Sequence, residues 1–167
     1  RIERLINESV AAGAKILLDG RKPVIPTGYE GGNWAGATIL DGVHPGLSCY
    51  SEEIFGPVLS VLRVKTLDEA IELMNVNPYG NGCAIFTSSG AAARKVQFNS
   101  NIGQIGVNLP IPVPPPFFSF TGSKDSYLGA SNFYGKNGLN FYTYTKTVMS
   151  NWWDDDVSAG VRTAMPV

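Results

Sequence analysis

Thr66–Asn108 reads TLDEAIELMNVNPYGNGCAIFTSSGAAARKVQFNSNIGQIGVN, and its rhythm decides the fold class. Thr66-Leu67-Asp68-Glu69 has the form of a capping box, in which the Thr66 hydroxyl and the Glu69 carboxylate each satisfy a backbone N–H left open at a helix start. Leu67, Ala70, Ile71 and Met74 then fall on one helical face, and Asn77-Pro78 followed by Tyr79-Gly80-Asn81-Gly82 ends the helix near Asn75. Cys83–Thr87 is a short apolar strand, Ser89–Phe98 a second helix, and Ile102–Asn108 a second strand interrupted by glycines. Strands alternating with helices call for a largely parallel sheet flanked by helices, so the class is α/β.

Upstream the pattern is looser. Ile2, Leu5, Ile6 and Val10 form a helical face that Gly13 closes, and no capping residue precedes Arg1. The helix therefore starts in mid-pattern, which is expected of a piece of a longer chain. Lys15–Leu18 and Ala35–Leu40 are short strands before Asp19-Gly20 and Asp41-Gly42, separated by a loop rich in glycine and proline. Val58–Val64 is a strand that follows Gly56-Pro57 directly. Downstream, Pro110, Pro112, Pro114, Pro115 and Pro116 remove N–H donors and impose an extended course that no central strand could take. From Phe141 to Met149, aromatic and β-branched residues alternate as in a strand with an apolar side, which is expected to be covered by another chain or domain.

Composition excludes several function classes. With 167 residues, 44% of them hydrophobic, the chain can bury one core, and its 19 glycines and 11 prolines punctuate short elements. A net charge of −1 without a basic block offers no footprint for nucleic acid. No apolar run reaches the length of a membrane span, and the first residues lack a signal-peptide pattern. Cys49 and Cys83 are too few for a disulfide framework and have no metal-ligand spacing with the single His44, which fits a reducing compartment.

The stretch with most chemistry is Glu52-Glu53-Ile54-Phe55-Gly56-Pro57, at the head of a strand. Adjacent carboxylates on extended backbone point opposite ways, so they do not form an acid/base pair, but one of them can face a ligand. A solvated acidic turn is the plainer alternative, and the residues by themselves favour it.

The run EEIFGPV at Glu52–Val58 resembles a signature of the aldehyde dehydrogenase superfamily. NPYGNGCAIF at Asn77–Phe86, GQIGVN at Gly103–Asn108 and FTGSK at Phe120–Lys124 resemble further family stretches in the expected order, so the likeness extends to about Ser150. VNLPIPVPPPFFSFTGSKDS at Val107–Ser126 resembles the methylmalonate-semialdehyde branch, and Ser48-Cys49-Tyr50 and Asn132-Phe133-Tyr134-Gly135-Lys136 point the same way. The resemblance implies that Glu53 binds the nicotinamide ribose hydroxyls of NAD and that Phe55 packs beside the nicotinamide. It places Phe120 at the acyl pocket, with ordinary packing as an equal alternative.

That branch is CoA-acylating. Its resemblance implies oxidation of methylmalonate or malonate semialdehyde to propionyl-CoA or acetyl-CoA, in valine and pyrimidine catabolism, through a thiohemiacetal on a cysteine. The family's nucleophilic cysteine, general-base glutamate and dinucleotide-binding half match positions before Arg1, so this stretch is expected to hold no catalytic residue and to be inactive alone. Cys49 lacks a neighbouring His or Lys to activate it, and both thiols read as structural. The implied organisation is residues 1–140 as the C-terminal portion of the catalytic domain, 141–153 as a strand for homo-oligomer assembly into a dimer or tetramer, and 154–167 as a disordered tail. The resemblance also implies the mitochondrial matrix in a eukaryote and the cytoplasm in a bacterium. Two alternatives stay open: an aldehyde dehydrogenase that hydrolyses its thioester without CoA, and a non-catalytic assembly module.

Overall fold

A computed structural model describes residues 1–129 and 133–151. The chain divides into two compact units, Arg1–Leu73 and Met74–Val167.

The first unit opens with α1 (Ile2–Ala11), which turns Leu5, Ile6 and Ser9 inward. It ends where Gly13 takes φ +113°, a conformation costly for any residue with a Cβ. Next come β1 (Lys15–Leu18), β2 (Thr38–Asp41), the short helix α2 (Ser48–Ser51) and β3 (Val58–Val61). The sheet order is β1-β2-β3, with β1 antiparallel to β2 and β2 parallel to β3, pairing Thr38 with Val58 through Asp41 with Val61. The core combines Leu5, Ile6, Ala14, Leu40, Val43, Leu47, Cys49 and Ile54. Buried Ser9 is satisfied at α2, where its hydroxyl meets Ser48 Oγ at 3.2 Å and accepts from the Cys49 N–H at 3.1 Å.

After α3 (Leu67–Val76), the second unit contains β4 (Gly82–Ile85), α4 (Gly90–Asn99) and β5 (Gln104–Val107), a βαβ unit whose strands pair in parallel from Gly82 with Gln104 to Ile85 with Val107. Ser89 caps α4 by accepting from Ala92 N at 3.2 Å, and Ala93 and Val96 are its buried residues. Thr66 accepts from Glu69 N at 3.2 Å, but the Glu69 carboxylate accepts from Lys65 N, one residue before the donor a reciprocal box would use. The α/β class holds, with two short sheets in place of one and an antiparallel edge on the first.

One local expectation is corrected, and one element was not expected. The proline-rich stretch leads not to a strand at Phe141 but to α5 (Gly135–Tyr142), which takes Phe141 and Tyr142 and has no buried residue. Residues 143–151 form no helix or strand with any other of the described residues. The expected strand therefore starts two residues too early, because Phe141 and Tyr142 close α5, where their exposed side chains give no burial pattern to read. The helix α2 falls in a stretch for which no element had been expected. Asn132, the last two residues (152–153) of the expected assembly strand and the expected tail (154–167) lie outside the described residues.

Candidate functional site

The Glu52–Pro57 loop runs from the end of α2 to the start of β3, and α1 holds it from one side. Arg1 donates from one guanidinium nitrogen to the Ile54 carbonyl at 2.9 Å and from the other to the Glu53 carbonyl. Ile2 packs beneath Gly56, where an added Cβ would come within 2.5 Å of its Cδ1. The loop's exit is set by the sheet, since the Pro57 carbonyl accepts from Thr38 N at 2.9 Å.

This fastening separates the two glutamates. Glu52 Oε2 accepts from Arg4 at 3.0 Å, and Arg4 also reaches both carboxylate oxygens of Glu8, so the Glu52 side chain is engaged on the α1 side. These pairs raise the Arg4 pKa above its usual value, through hydrogen bonds first to Glu8 and then to Glu52. Glu53 is exposed, and its carboxylate has no partner among the described residues. Two residues on, Phe55 is 85% exposed and sits at φ +51°. A non-glycine residue there is held against a backbone preference of roughly 1 kcal/mol, and an apolar ring gains nothing from solvent. The backbone of the loop is fixed while its Glu53 and Phe55 side chains are left available.

Phe120 lies in the second unit and is used differently. Its N–H donates to the Phe133 carbonyl at 2.7 Å, its ring stacks on Phe133 at 4.8 Å between centroids, and Tyr134 meets it edge-on at 5.7 Å. A hollow of about 680 Å³ in this unit is walled by Tyr127, Leu128, Phe133, Phe141 and Tyr142, among others, and Phe120 is not part of its wall.

Neither thiol stands in reactive surroundings. Cys49 is 6% exposed, within the core of the first unit. Burial pushes the Cys83 thiol above its ordinary pKa, which disfavours the nucleophilic thiolate. His44 is exposed and accepts from Gly46 N at 3.2 Å within its own turn. Among the described residues no group of three or more His, Cys, Asp or Glu stands where it could hold a metal ion, and no helix is long and apolar enough to cross a membrane.

Sequence reasoning missed two residues that organise the second unit. Asn108, at φ +56°, fixes the strand exits by accepting from Thr87 N at 2.8 Å and donating to Thr87 O at 3.0 Å. Lys124, at φ +54°, donates to the carbonyls of Met74, Asn75 and Asn77. Each is a polar residue in the left-handed region within a quoted motif, and only Asn is a type that favours that conformation.

The sequence profile of the Aldehyde dehydrogenase family matches residues 1–148. A methylmalonate-semialdehyde dehydrogenase [acylating], mitochondrial, of Arabidopsis thaliana is 59% identical over 166 residues, covering 99% of this chain and 27% of the relative. The human methylmalonate-semialdehyde/malonate-semialdehyde dehydrogenase [acylating], mitochondrial, is 56% identical over 95% of this chain and 29% of its own length. Among solved structures, the methylmalonate-semialdehyde dehydrogenase of Oceanimonas doudoroffii superposes with a TM-score of 0.88 at 43% identity, covering 92% of this chain and 31% of that one. A Sinorhizobium meliloti 1021 protein assigned to the same activity and complexed with NAD gives 0.89 at 44% identity, covering 93% and 32%. The chain thus spans about a third of the length of these relatives.

Proposed function

Because the chain belongs to the aldehyde dehydrogenase family, we propose that it supplies the nicotinamide-side wall of an NAD-dependent, CoA-acylating semialdehyde dehydrogenase. The observation that carries this is the division of labour in the Glu52–Phe55 loop. One carboxylate is tied down by Arg4, while the next is free beside a bare aromatic ring on strained backbone. These groups fit the cofactor: a carboxylate can accept from two vicinal ribose hydroxyls at once, and an exposed aromatic face can lie against a flat ring. NAD, when bound, supplies the acceptor for the aldehyde hydride. Glu53 would fix the ribose, Phe55 would limit the ring's tilt and exclude water, and Arg1 would hold the loop that carries both. Placing the ring correctly is worth rate because small displacements at a reacting centre reduce turnover steeply.

The reaction proposed for the whole protein is oxidation of methylmalonate or malonate semialdehyde with transfer of the acyl group to CoA and loss of carbon dioxide, giving propionyl-CoA or acetyl-CoA. The names of the 56–59% identical relatives support that substrate class. Phe120 is proposed to flank the acyl group. The proposed assembly is a homo-oligomer, dimer or tetramer, in which the unpaired segment from residue 143 pairs with a neighbouring subunit. The mitochondrial matrix is proposed for a eukaryotic source and the cytoplasm for a bacterial one.

The test uses the full-length protein that contains this chain. Glu53→Gln should lower kcat/KM for NAD by about tenfold or more, the size of a lost charge-assisted hydrogen bond, while Glu52→Gln stays within about twofold. Equal losses would remove the assignment. Product analysis with and without CoA separates the acylating reaction from thioester hydrolysis, and sedimentation of the same preparation as a monomer would end the assembly proposal.

A further inference from the structure

The segment Phe120–Ser126 has no helix or strand of its own, yet nearly every residue in it is fastened. At one end Thr121 Oγ1 donates to Gly103 O at 2.5 Å and Thr121 O accepts from Gln104 Nε2 at 2.7 Å, which ties the residue after Phe120 to the start of β5. Gly103 and Gly122 lie backbone to backbone, leaving only 2.5 Å between a Cβ on Gly103 and Gly122 Cα. At the other end Ser123 Oγ meets Asn101 Oδ1 at 3.2 Å, Asp125 N donates to Pro78 O at 3.0 Å, and Ser126 Oγ accepts from Gly80 N at 3.1 Å.

Lys124 stands at the centre of that second anchor. Its ammonium donates to Met74 O at 2.7 Å, Asn75 O at 3.1 Å and Asn77 O at 3.0 Å, using all three of its donors. Two of those carbonyls belong to the last turn of α3, which intrahelical bonding leaves open and where the helix dipole favours a positive charge. A methionine would fill the space but leave three carbonyls without this donor, and a guanidinium would keep the charge while presenting its donors in a planar fork instead of from one point. The backbone of Lys124 is at φ +54°, in the left-handed region that a non-glycine residue seldom takes.

We propose that Lys124 is a positioning residue for the acyl pocket: by gathering the end of α3 it sets the course of Thr121–Ser126 and so the placement of Phe120. The inference rests on the proposed role of Phe120 beside the acyl group. It predicts an effect on discrimination between aldehydes, which a purely structural role would not produce, because a ratio of kcat/KM values does not depend on how much of the protein is folded.

The experiment compares Lys124→Met, Lys124→Arg, Phe120→Leu and the Lys124→Met/Phe120→Leu double variant in the full-length enzyme. It measures kcat/KM for methylmalonate semialdehyde relative to propanal, and the KM for NAD. Lys124→Met should change the ratio by about threefold or more with the NAD KM unmoved, and Lys124→Arg should change it in the same direction by less. The double variant should show the ratio of Phe120→Leu alone. If Phe120→Leu moves the ratio and neither lysine variant does, the positioning role is wrong while the pocket role stands. Additive effects in the double variant would overturn the positioning role as well. If Phe120→Leu itself leaves the ratio unchanged, the pocket assignment fails, and the inference fails with it. Where Lys124→Met yields no folded enzyme, Lys124→Arg decides, a wild-type ratio counting against the proposal.

Discussion

The loops at Glu52–Pro57 and Phe120–Ser126 each carry a phenylalanine singled out by sequence, and the fold treats the two rings in opposite ways. Phe55 is 85% exposed on left-handed backbone, with the fastening done by main-chain carbonyls that Arg1 gathers. Phe120 is stacked on Phe133 and edged by Tyr134, on a segment fastened by its own neighbours' side chains. The first arrangement leaves the ring open to a ligand, as the proposed nicotinamide role requires, and exposed aromatic surface adds no stability by itself. The second is already a packing solution, and any contact with a substrate would be made by whatever edge Phe133 and Tyr134 leave uncovered. Similar residues in similar motifs therefore carry unequal information about ligands.

The contrast in fastening is sharpest at glycines, where the largest effect is expected. A Cβ at Gly103 would meet Gly122 Cα at 2.5 Å and its carbonyl carbon at 2.6 Å, backbone that cannot step aside. A Cβ at Gly56 would meet the Cδ1 tip of Ile2 at 2.5 Å, and a side-chain tip can rotate. Gly103→Ala should destabilise the enzyme by about 2 kcal/mol or more, and Gly56→Ala by clearly less. Thermal or urea unfolding of the two variants reads this directly, and the reverse order would mean that the Phe55 loop is the more tightly packed of the two.

How much of this was legible beforehand differs by region for a physical reason. Between Thr66 and Asn108, caps, turns and apolar periods all agree, and α3, β4, α4 and β5 appear within a few residues of their expected bounds. Where burial does not select a pattern, the reading failed. Phe141 and Tyr142, the first two residues of the alternating run, are exposed on α5, so they reported no buried face. Four-residue α2 is set by tertiary contact, with Ser9 accepting from Cys49 N, and local propensity could not reveal it. The residues of the Glu52-Glu53 pair showed that one carboxylate could face a ligand, and only the resemblance said which, because Arg4 meets Glu52 across 48 positions of sequence. Lys124 was invisible for the same reason, its three acceptors lying 47 to 50 positions away.

A paired substitution probes the two rings at intermediate size. Phe120→Leu removes a stacked and an edge-on aromatic contact and should cost about 1 kcal/mol of stability beyond the lost area. Phe55→Leu alters a ring that is 85% exposed and should leave the unfolding midpoint nearly unchanged, while raising the KM for NAD or lowering turnover several-fold. The two readouts should cross over between the variants. A stability loss at Phe55 equal to that at Phe120 would show the ring to be covered in the assembled enzyme by protein, and its role to be packing after all.

The smallest expected effect concerns the exposed charges by which the first unit pins its surface loops. Just after β1, Asp19 accepts from Arg21 Nη2 at 2.5 Å and from Nε at 2.8 Å, and Arg21 also donates to Asn7 Oδ1 on α1 at 2.6 Å. The Arg21 side-chain hydrogen bond is the main reason the Asp19 carboxyl is held down to about 2, against an ordinary value of 3.8. A carboxyl with a lowered folded-state pKa stabilises the fold fully above its unfolded value, and that contribution is lost as pH falls through the folded one. The window is thus from about pH 4 down to about pH 2. Both partners are partly exposed, so salt and water weaken the pair and the shift in midpoint should be slight. Asp19→Asn, compared with the parent enzyme by urea unfolding at pH 6 and pH 3, should give a small difference at pH 6 that shrinks at pH 3. A difference that stays constant between the two would mean that the variant perturbs the β1 turn by its shape and not through the charge, leaving Arg21 to fasten α1 by its bond to Asn7 alone.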